Sequence, residues 1–416
     1  MKLYTKIAGT LALPLALAVA ANSAQAYTVV DTSEHKLTVG GYVSAIASVA
    51  KTGDKKSAVN NKFNSDLDAG NSRLNIGYTN KEIGTTFFFE TRLQNMSLRH
   101  AFFKTEDGWI GGHTWSFGTN LVALAETIDT TGNGLVSYQV YAPRNLLLGK
   151  KFKLDDSMSF GVSIEGQNSS NSQRTDAITN RTSSARAQKS PAPAVTANFE
   201  GDFSGIKVFT AVTNYAVNKK SVDSGAISGN KESGKDKRFT RFTVGTAIPM
   251  GDATLKLGLT HNHGATHKNL GTLPSGTAGN PNNLDTAAYS ADLAKGTHAS
   301  AALTYRINEK LRTNFAIETS KWDKNAIAKH TPAKNGPGTT KNKSGKASRL
   351  WVNAFYQADN GIEWGAEMQY ARVKATNKVV GVNDRTDGLA YSAGQTHEGM
   401  LADKGTAFRV QAKYAF

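Results

Sequence analysis

Apolar and polar residues alternate at period two in many short segments of this chain. In the C-terminal run GTAFRVQAKYAF, one row contains Phe408, Val410, Ala412, Tyr414 and Phe416, and the other contains Ala407, Arg409, Gln411, Lys413 and Ala415. Successive side chains of a β-strand point to opposite faces, so this strand has one apolar face and one charged face. That pattern suits a wall between lipid and water. It therefore favours a membrane β-barrel over a soluble fold with a large buried core.

The same alternation predicts sixteen strands, an even number that a closed single-chain barrel requires. We place them at 37–50, 71–80, 84–95, 97–105, 108–116, 135–143, 157–167, 193–201, 205–217, 238–249, 252–262, 296–307, 310–322, 347–358, 361–373 and 404–416. Tight turns alternate mostly with long polar stretches at 51–70, 168–192, 218–237, 263–295, 323–346 and 374–403. The predicted fold class is all-β: a transmembrane antiparallel β-barrel of about 16 strands, with short periplasmic turns, long extracellular loops and an inward-folded third loop.

The first 26 residues have the pattern of a secretory signal peptide. Lys2 and Lys6 precede an apolar run, and an A-x-A site ends at Ala26, after which we expect cleavage. The alternative is a retained anchor, but the apolar run is short and Pro14 interrupts it. Residues 27–416 would then form a single transmembrane barrel.

Composition excludes several classes of protein. The 416 residues include no cysteine, so disulfides and thiolate chemistry are excluded. Removing the two signal-peptide lysines lowers the formal net charge from +16 to +14. An exported basic chain argues against a nucleic-acid partner and for anionic lipid or anionic solutes. The lysines of loop 323–346 either contact lipopolysaccharide phosphates or solvate the loop.

One connection differs from the others. GGHTWSFGTNLVALAETIDTTGNG follows the fifth predicted strand and combines Leu121, Val122 and Leu124 with the acids Glu126 and Asp129 at helical i, i+3 spacing. An exposed loop is normally polar throughout, whereas these apolar residues need a surface to pack against. We expect the leucines to fasten this loop to the inner wall, with both acids at the narrowest point of the lumen, the eyelet. The alternative is an ordinary exposed loop.

Parity along the strands predicts which charged side chains face the lumen. The basic set is Arg73, Arg92, Arg99, Arg241, Lys256, Arg306, Arg312, Arg349, Arg409 and Lys413, and the acidic set is Glu90, Glu165, Glu200, Glu318, Glu363 and Glu367. Charges belong inside because arginine on the lipid face near the midplane costs about 2–4 kcal/mol. Many of these residues are simply the polar face of any barrel, paired across strands. The basic excess, however, favours permeation by anions, since guanidinium groups match carboxylates.

Several motifs also resemble a known family. LTVGGYV, RHAF, GGHTWSF and ALAETID, within residues 37–141, are similar to motifs of the DcaP-type porins of Acinetobacter-like proteobacteria. The resemblance implies a 16-stranded trimeric channel for dicarboxylates and related small anions. It also implies that Arg99, His113, Glu126 and Asp129 border the eyelet, with His113 standing where glutamine is expected.

Other signals are weaker. HNHGATH has spacing that zinc could use, but it straddles a strand end and a loop without a fourth ligand, so we expect neither metal nor cofactor. His113 is either a proton-sensitive gate or a merely polar lumen residue. No G-x-S-x-G, H-E-x-x-H or phosphate-loop motif occurs, so no enzyme is predicted. The sequence favours an anion-preferring porin of the Gram-negative outer membrane; the alternative is an adhesin or lipid-binding barrel that acts through its extracellular loops.

Overall fold

The computed structural model describes residues 26–52, 63–69, 72–94, 96–128, 144–166, 173–175, 182–184, 192–217, 237–263, 296–322, 340–341, 345–375, 378–379 and 404–416. Within these ranges no helix is long and apolar enough to cross a membrane. The strands there are β1 (Tyr27–Asp31), β2 (His35–Thr52), β3 (Phe63–Asp68), β4 (Arg73–Asn80), β5 (Thr85–Arg92), β6 (Leu98–Lys104), β7 (Trp109–Trp115), β8 (Arg144–Lys153), β9 (Met158–Glu165), β10 (Gln173–Thr175), β11 (Thr182–Ser184), β12 (Ala194–Phe203), β13 (Ile206–Val217), β14 (Lys237–Met250), β15 (Ala253–His263), β16 (Gly296–Arg306), β17 (Leu311–Trp322), β18 (Thr340–Lys341), β19 (Gly345–Gln357), β20 (Ile362–Ala375), β21 (Lys378–Val379) and β22 (Lys404–Ala415).

The strands form a closed antiparallel barrel of sixteen positions, as predicted. Each barrel strand pairs with the next in the chain, and β22 closes the ring by pairing with β2, from Tyr42 opposite Ala415 to Thr52 opposite Gly405. The short strands β3 and β4 both pair with the same edge of β2 and together fill one position. On the other edge of β2, β1 adds a short strand beyond the end of β22. Two further small sheets, β10–β11 and β18–β21, lie in segments that we had predicted as loops.

One predicted strand is in the wrong place. The sixth barrel strand is β8, Arg144–Lys153, whereas the sequence indicated 135–143, a segment outside the described residues. The run of three leucines in β8 breaks the expected alternation. Leu147 points inward and is 4% exposed, because it packs with Ile110 and Phe117 in a small apolar cluster. An apolar inward residue made this strand look like part of a connection.

The outer face of the barrel is apolar. Exposed side chains such as Phe242, Val244, Phe315 and Ile317 alternate with buried polar residues along the same strands. Exposed aromatic residues lie beside the short turns, on several neighbouring strands: Trp109, Phe152, Phe203, Tyr305, Tyr356, Trp364 and Tyr414. An apolar band bordered by aromatics is the pattern of a lipid-facing surface.

The inner face is polar and heavily paired. Glu90, Glu165, Glu318 and Glu367 are each 3% exposed or less, and all lie on the inner rows that parity predicted. Their partners are arginine and amide side chains on neighbouring strands and backbone N–H groups of the loop that follows β7. Burial of charge is tolerated here because each carboxylate is hydrogen-bonded.

Candidate functional site: the lumen and its inward loop

The third loop folds into the barrel, as predicted. Residues 116–128 leave the end of β7 and run along the inner wall as turns and extended segments. Four hydrogen bonds mark the path: Phe117 N donates to Glu165 Oε1 (3.0 Å), Asn120 Nδ2 to Val244 O (3.1 Å), Lys256 Nζ to Leu124 O (3.0 Å) and Ile128 N to Glu367 Oε2 (2.8 Å). The loop therefore passes β9, β14, β15 and β20 in order. We call the wall from β8 to β20 the loop-covered wall.

Glycines on the inner rows make room for this loop. A Cβ at Gly149 or Gly161 would come within 2.8–3.0 Å of the Phe117 ring, which is completely buried. A Cβ at Gly245 would be 2.2 Å from the side-chain amide of Asn120. These close approaches require residues without a side chain, so the loop lies in a groove of the wall itself.

The residues that fasten the loop are not those we expected. Phe117, Ala123, Ala125 and Ile128 are the buried apolar residues of the loop, at 0–5% exposure. Leu121, Val122 and Leu124 are only half-buried. The helical spacing was also misleading: residues 116–128 contain no helix, and Asp129 lies outside the described residues.

A cluster of arginines occupies the wall formed by β4, β5 and β6. Arg73 and Arg92 are directly opposite each other in the β4–β5 register, and both lie on the inner face. Arg99 Nε donates to Glu90 Oε1 at 2.7 Å, and Arg73 Nη1 lies 3.5 Å from the same oxygen. Two guanidinium groups thus share one carboxylate, and a third, that of Arg92, belongs to the strand position opposite Arg73. We call this surface the arginine wall.

Nitrogen atoms of this cluster are under-satisfied. Nε of Arg73 and Nε of Arg92 are buried and have no hydrogen-bond partner among the described residues. Like charges directly opposite on neighbouring strands repel. The two guanidinium groups held side by side create a local positive potential, and a bound anion would reduce their repulsion.

Sequence reasoning missed a neighbouring group. Arg144 Nε donates to His100 Nε2 at 3.0 Å, and its guanidinium carbon lies 3.6 Å from the centre of the Trp115 ring. The other nitrogen of His100 contacts Thr114 Oγ1 at 3.0 Å. Arg144 was overlooked because we placed it in a connection rather than at the start of a strand. Correct placement of the sixth strand would have put Arg144 opposite Trp115 and on the row of Leu146, so alternation alone would not have indicated its contact with His100.

The charges of the loop-covered wall form pairs instead. In the part of this wall from β17 to β20 and on the adjoining β22, Arg312 contacts both Glu126 and Glu363, and the other pairs are Arg349 with Glu318, Arg409 with Glu367, and Lys413 with Glu363. Four basic and four acidic side chains cancel formally. Glu126 therefore binds Arg312 beside the loop rather than the arginine wall.

A series of contacts connects the arginine wall to the loop. The Tyr42 ring lies 5.3 Å from the guanidinium carbon of Arg73 and 5.2 Å from Lys413 Nζ. Lys413 continues to Glu363, which binds Arg312. Arg312 then reaches Glu126 through contacts of 2.5–3.0 Å. The arginine wall and the loop are thus linked around the lumen by adjoining side chains.

The remaining candidates have different positions. His113 is opposite Ala101 on β6 and Leu146 on β8, and Leu146 is 66% exposed on the outer face. His113 therefore belongs to the outer row, and its predicted lumen position is wrong. The inner residues of β7 are Ile110, Gly112 and Thr114, because alternation fixes the row once Ile110 is inside.

Two predicted arginines lie on the inner face but away from the cluster. Arg306 is opposite Arg312 in register, so it shares the inner face, but it is exposed at the turn end of β16. Arg241 on β14 is 1% exposed. Burial keeps Arg241 from solutes, and exposure at the rim keeps Arg306 outside the narrow region.

Comparison with known proteins identifies the fold. A search with models of protein families finds no match, and no curated protein sequence matches either. Solved structures do match over nearly the whole chain. The outer membrane channel DcaP of Acinetobacter baumannii has 16% identity and a TM-score of 0.62, covering 93% of this chain and 99% of DcaP.

Two other structures have the same fold. OmpF of Salmonella typhi, in complex with daunomycin, has 16% identity and a TM-score of 0.55, covering 94% and 100% of the two chains. The trimer form of OmpT of Vibrio cholerae, folded in vitro, has 14% identity and a TM-score of 0.51, covering 92% and 100%. At such low identity the likeness establishes the porin-type barrel fold.

Proposed function

We propose that this chain is a porin of the Gram-negative outer membrane, a passive diffusion channel that prefers anions such as small dicarboxylates. The arginine wall carries the proposal: Arg73 and Arg99 share the carboxylate of Glu90, and Arg92 lies opposite Arg73 on the same inner surface. A confined surface with net positive charge raises the local concentration of anions and lowers the barrier to their passage. Guanidinium also offers carboxylates a planar pair of donors.

The apolar outer face supports insertion in a lipid bilayer, and the basic lumen supports anionic solutes as ligands. We propose in addition that residues 1–26 are removed as a signal peptide on export, although residues 1–25 are outside the described part. A homotrimer is part of the same proposal, since OmpT of similar fold has a trimer form. Lipopolysaccharide phosphates are the proposed partners of the lysines in 323–346, most of which also lie outside the described residues.

Reconstitution in a planar bilayer under a tenfold gradient of KCl tests the channel and its selectivity together. We expect discrete conductance steps and a reversal potential whose sign indicates chloride preference. That preference should weaken as the salt concentration rises, because mobile ions screen exposed charges. A reversal potential of the opposite sign, or no conductance, would contradict the proposal.

Removal of the long loops separates this function from the adhesin or lipid-binding alternative. A channel should keep its conductance and its selectivity without 264–295 and 381–400. A barrel that acts through its loops should lose its binding to cells or lipid when the loops are removed. Such a barrel should show no selective conductance either before or after the removal.

A further inference from the structure

The lumen has an apolar edge as well as a basic one. Residues 116–128 lie inside the barrel with Phe117, Asn120, Ala123 and Ile128 buried. Leu121, Val122 and Leu124 are half-buried on the same stretch of chain. One side of the loop is against the wall, so the exposed surface of these three residues opens onto the lumen. We call them the apolar ridge.

The apolar ridge lies across the lumen from the arginine wall. Asn120 and Leu124 hydrogen-bond to Val244 on β14 and Lys256 on β15, which fixes the ridge beside those two strands. In a ring of sixteen, β14 and β15 occupy the tenth and eleventh positions, and β4 to β6 occupy the second to fourth. The two surfaces are therefore about eight positions apart, half the circumference.

The acid in the described part of the loop, Glu126, does not interrupt this arrangement. Glu126 is turned toward β17, where it forms a two-oxygen contact with Arg312. Its backbone oxygen accepts from Asn353 Nδ2 on β19 at 2.8 Å. Glu126 therefore lies to one side of the line between ridge and arginine wall.

We propose that the apolar ridge and the arginine wall together select amphipathic anions, namely short aliphatic monocarboxylates. The carboxylate would follow the guanidinium groups while the alkyl chain lies along Leu121, Val122 and Leu124. Apolar contact gains free energy with each methylene that leaves water, whereas a second carboxylate facing the ridge would be desolvated without a partner. The inference rests on the proposed channel function and refines it by replacing dicarboxylates as the preferred solutes.

Bi-ionic potentials in planar bilayers test the proposal, with sodium acetate, butyrate, hexanoate or succinate opposite sodium chloride. Each permeability ratio is corrected for the mobility of the anion in water. We expect the corrected ratio to rise about twofold per methylene along the monocarboxylates. A rise of about twofold corresponds to half of the free energy that a methylene gains when it is fully buried. Succinate should fall below butyrate.

The ridge variant Leu121→Asn/Val122→Thr/Leu124→Asn keeps side-chain size but removes the apolar surface. It should lose the rise with chain length and keep its preference for chloride over potassium. The single variant Val122→Thr guards against misfolding of the triple variant and should show a partial loss. Leu154→Asn is the matched control, because Leu154 is 59% exposed in a turn outside the lumen, and it should behave as the unaltered protein.

The outcomes separate the two proposals. A chloride-preferring channel without chain-length dependence, or with a dependence that the ridge variants leave intact, would overturn the ridge and leave the channel standing. A channel without anion preference would overturn the proposed function itself.

Discussion

The arginine wall and the loop-covered wall contain the same residue types in opposite arrangements. On β4–β6, Arg73 and Arg99 share Glu90, and Arg92 lies opposite Arg73. Around β17–β22, four basic residues meet four carboxylates in close pairs. Charges in close pairs stabilise the contacts between strands and loop, whereas charges in excess of their partners interact with ions that permeate the lumen. The number of lumen arginines is therefore a poor guide to selectivity, and their pairing is the better one.

The largest expected effect is on stability, from breaking a pair on the loop-covered wall. Arg349→Gln removes the donor 2.8 Å from Glu318, and both residues are 3% exposed or less. Glu318 would keep only the longer contact with His298 Nε2, at 3.5 Å, and a buried carboxylate that loses its arginine costs about 3–5 kcal/mol, more than a hundredfold in the folding equilibrium. Urea unfolding in lipid vesicles, followed by tryptophan fluorescence, measures the loss. Lys310→Gln, in an exposed turn pair with Asp359, should change almost nothing. If Arg349→Gln left stability unchanged and altered selectivity, the contrast between paired charges that stabilise and charges that select would be wrong.

The second effect is on permeation, from removing an unpaired charge. Arg92→Ser should lower the chloride-to-potassium permeability ratio about fivefold, since a unit charge near 4 Å contributes about 1 kcal/mol in water. Stability should stay unchanged or rise, because Arg92 is opposite Arg73. Arg306→Ser makes the same charge change at the turn end and should have a smaller effect. Equal changes of the permeability ratio in the two variants would mean that the arginine wall contributes no more to selectivity than a charge at the turn end.

A smaller effect is expected from filling the groove under the loop. Gly245→Ala puts a methyl group 2.2 Å from the Asn120 amide, which is itself held by Val244 and Ala123. Close-packed walls absorb little extra volume, so the loop should move toward the lumen and lower single-channel conductance about twofold. Gly296→Ala, where the new methyl would be 3.6 Å from the nearest atom, is the control. Unchanged conductance in Gly245→Ala would mean that the loop does not limit the current.

The smallest effect is expected at Glu126. Glu126→Gln removes a charge that is one-third exposed and already bound to Arg312, which retains Glu363. Screening and the remaining pair limit the change, so chloride preference should rise by less than about twofold. The reversal potential measures it, and its sign should be opposite to that of Arg92→Ser. A fall in chloride preference would mean that the loop, rather than the charge of Arg312, determines selectivity in this part of the lumen.

Alternation in the sequence was sufficient for the strand number and for most inner residues. Arg241, Arg312, Arg349 and Arg409 all lie on the rows that parity predicted, because the pleat enforces period two wherever one face meets lipid. Alternation failed where the lumen itself is apolar. Leu147 faces Phe117 of the loop, so β8 lost its pattern and its position was wrong.

Pairing and loop docking were not accessible from the sequence. Whether Arg312 is paired depends on Glu126 and Glu363, which are 186 and 51 residues away. Gly149 and Gly245 look like ordinary strand glycines until the buried Phe117 and Asn120 are beside them. His113 was misplaced because its role came from the resemblance of a motif, and the row was not counted from Ile110. A glycine on an inner row is the signal that could have indicated a groove.

Docking of the inward loop also has a consequence for the order of assembly. Asn120 bonds to a strand 124 residues later, and Ile128 bonds to Glu367, 239 residues later. The second contact cannot form before the C-terminal third of the chain has joined the sheet, and contacts between such distant segments are slow to form. The loop therefore takes its final place last, and its protection from protease or hydrogen exchange would report completion of the barrel.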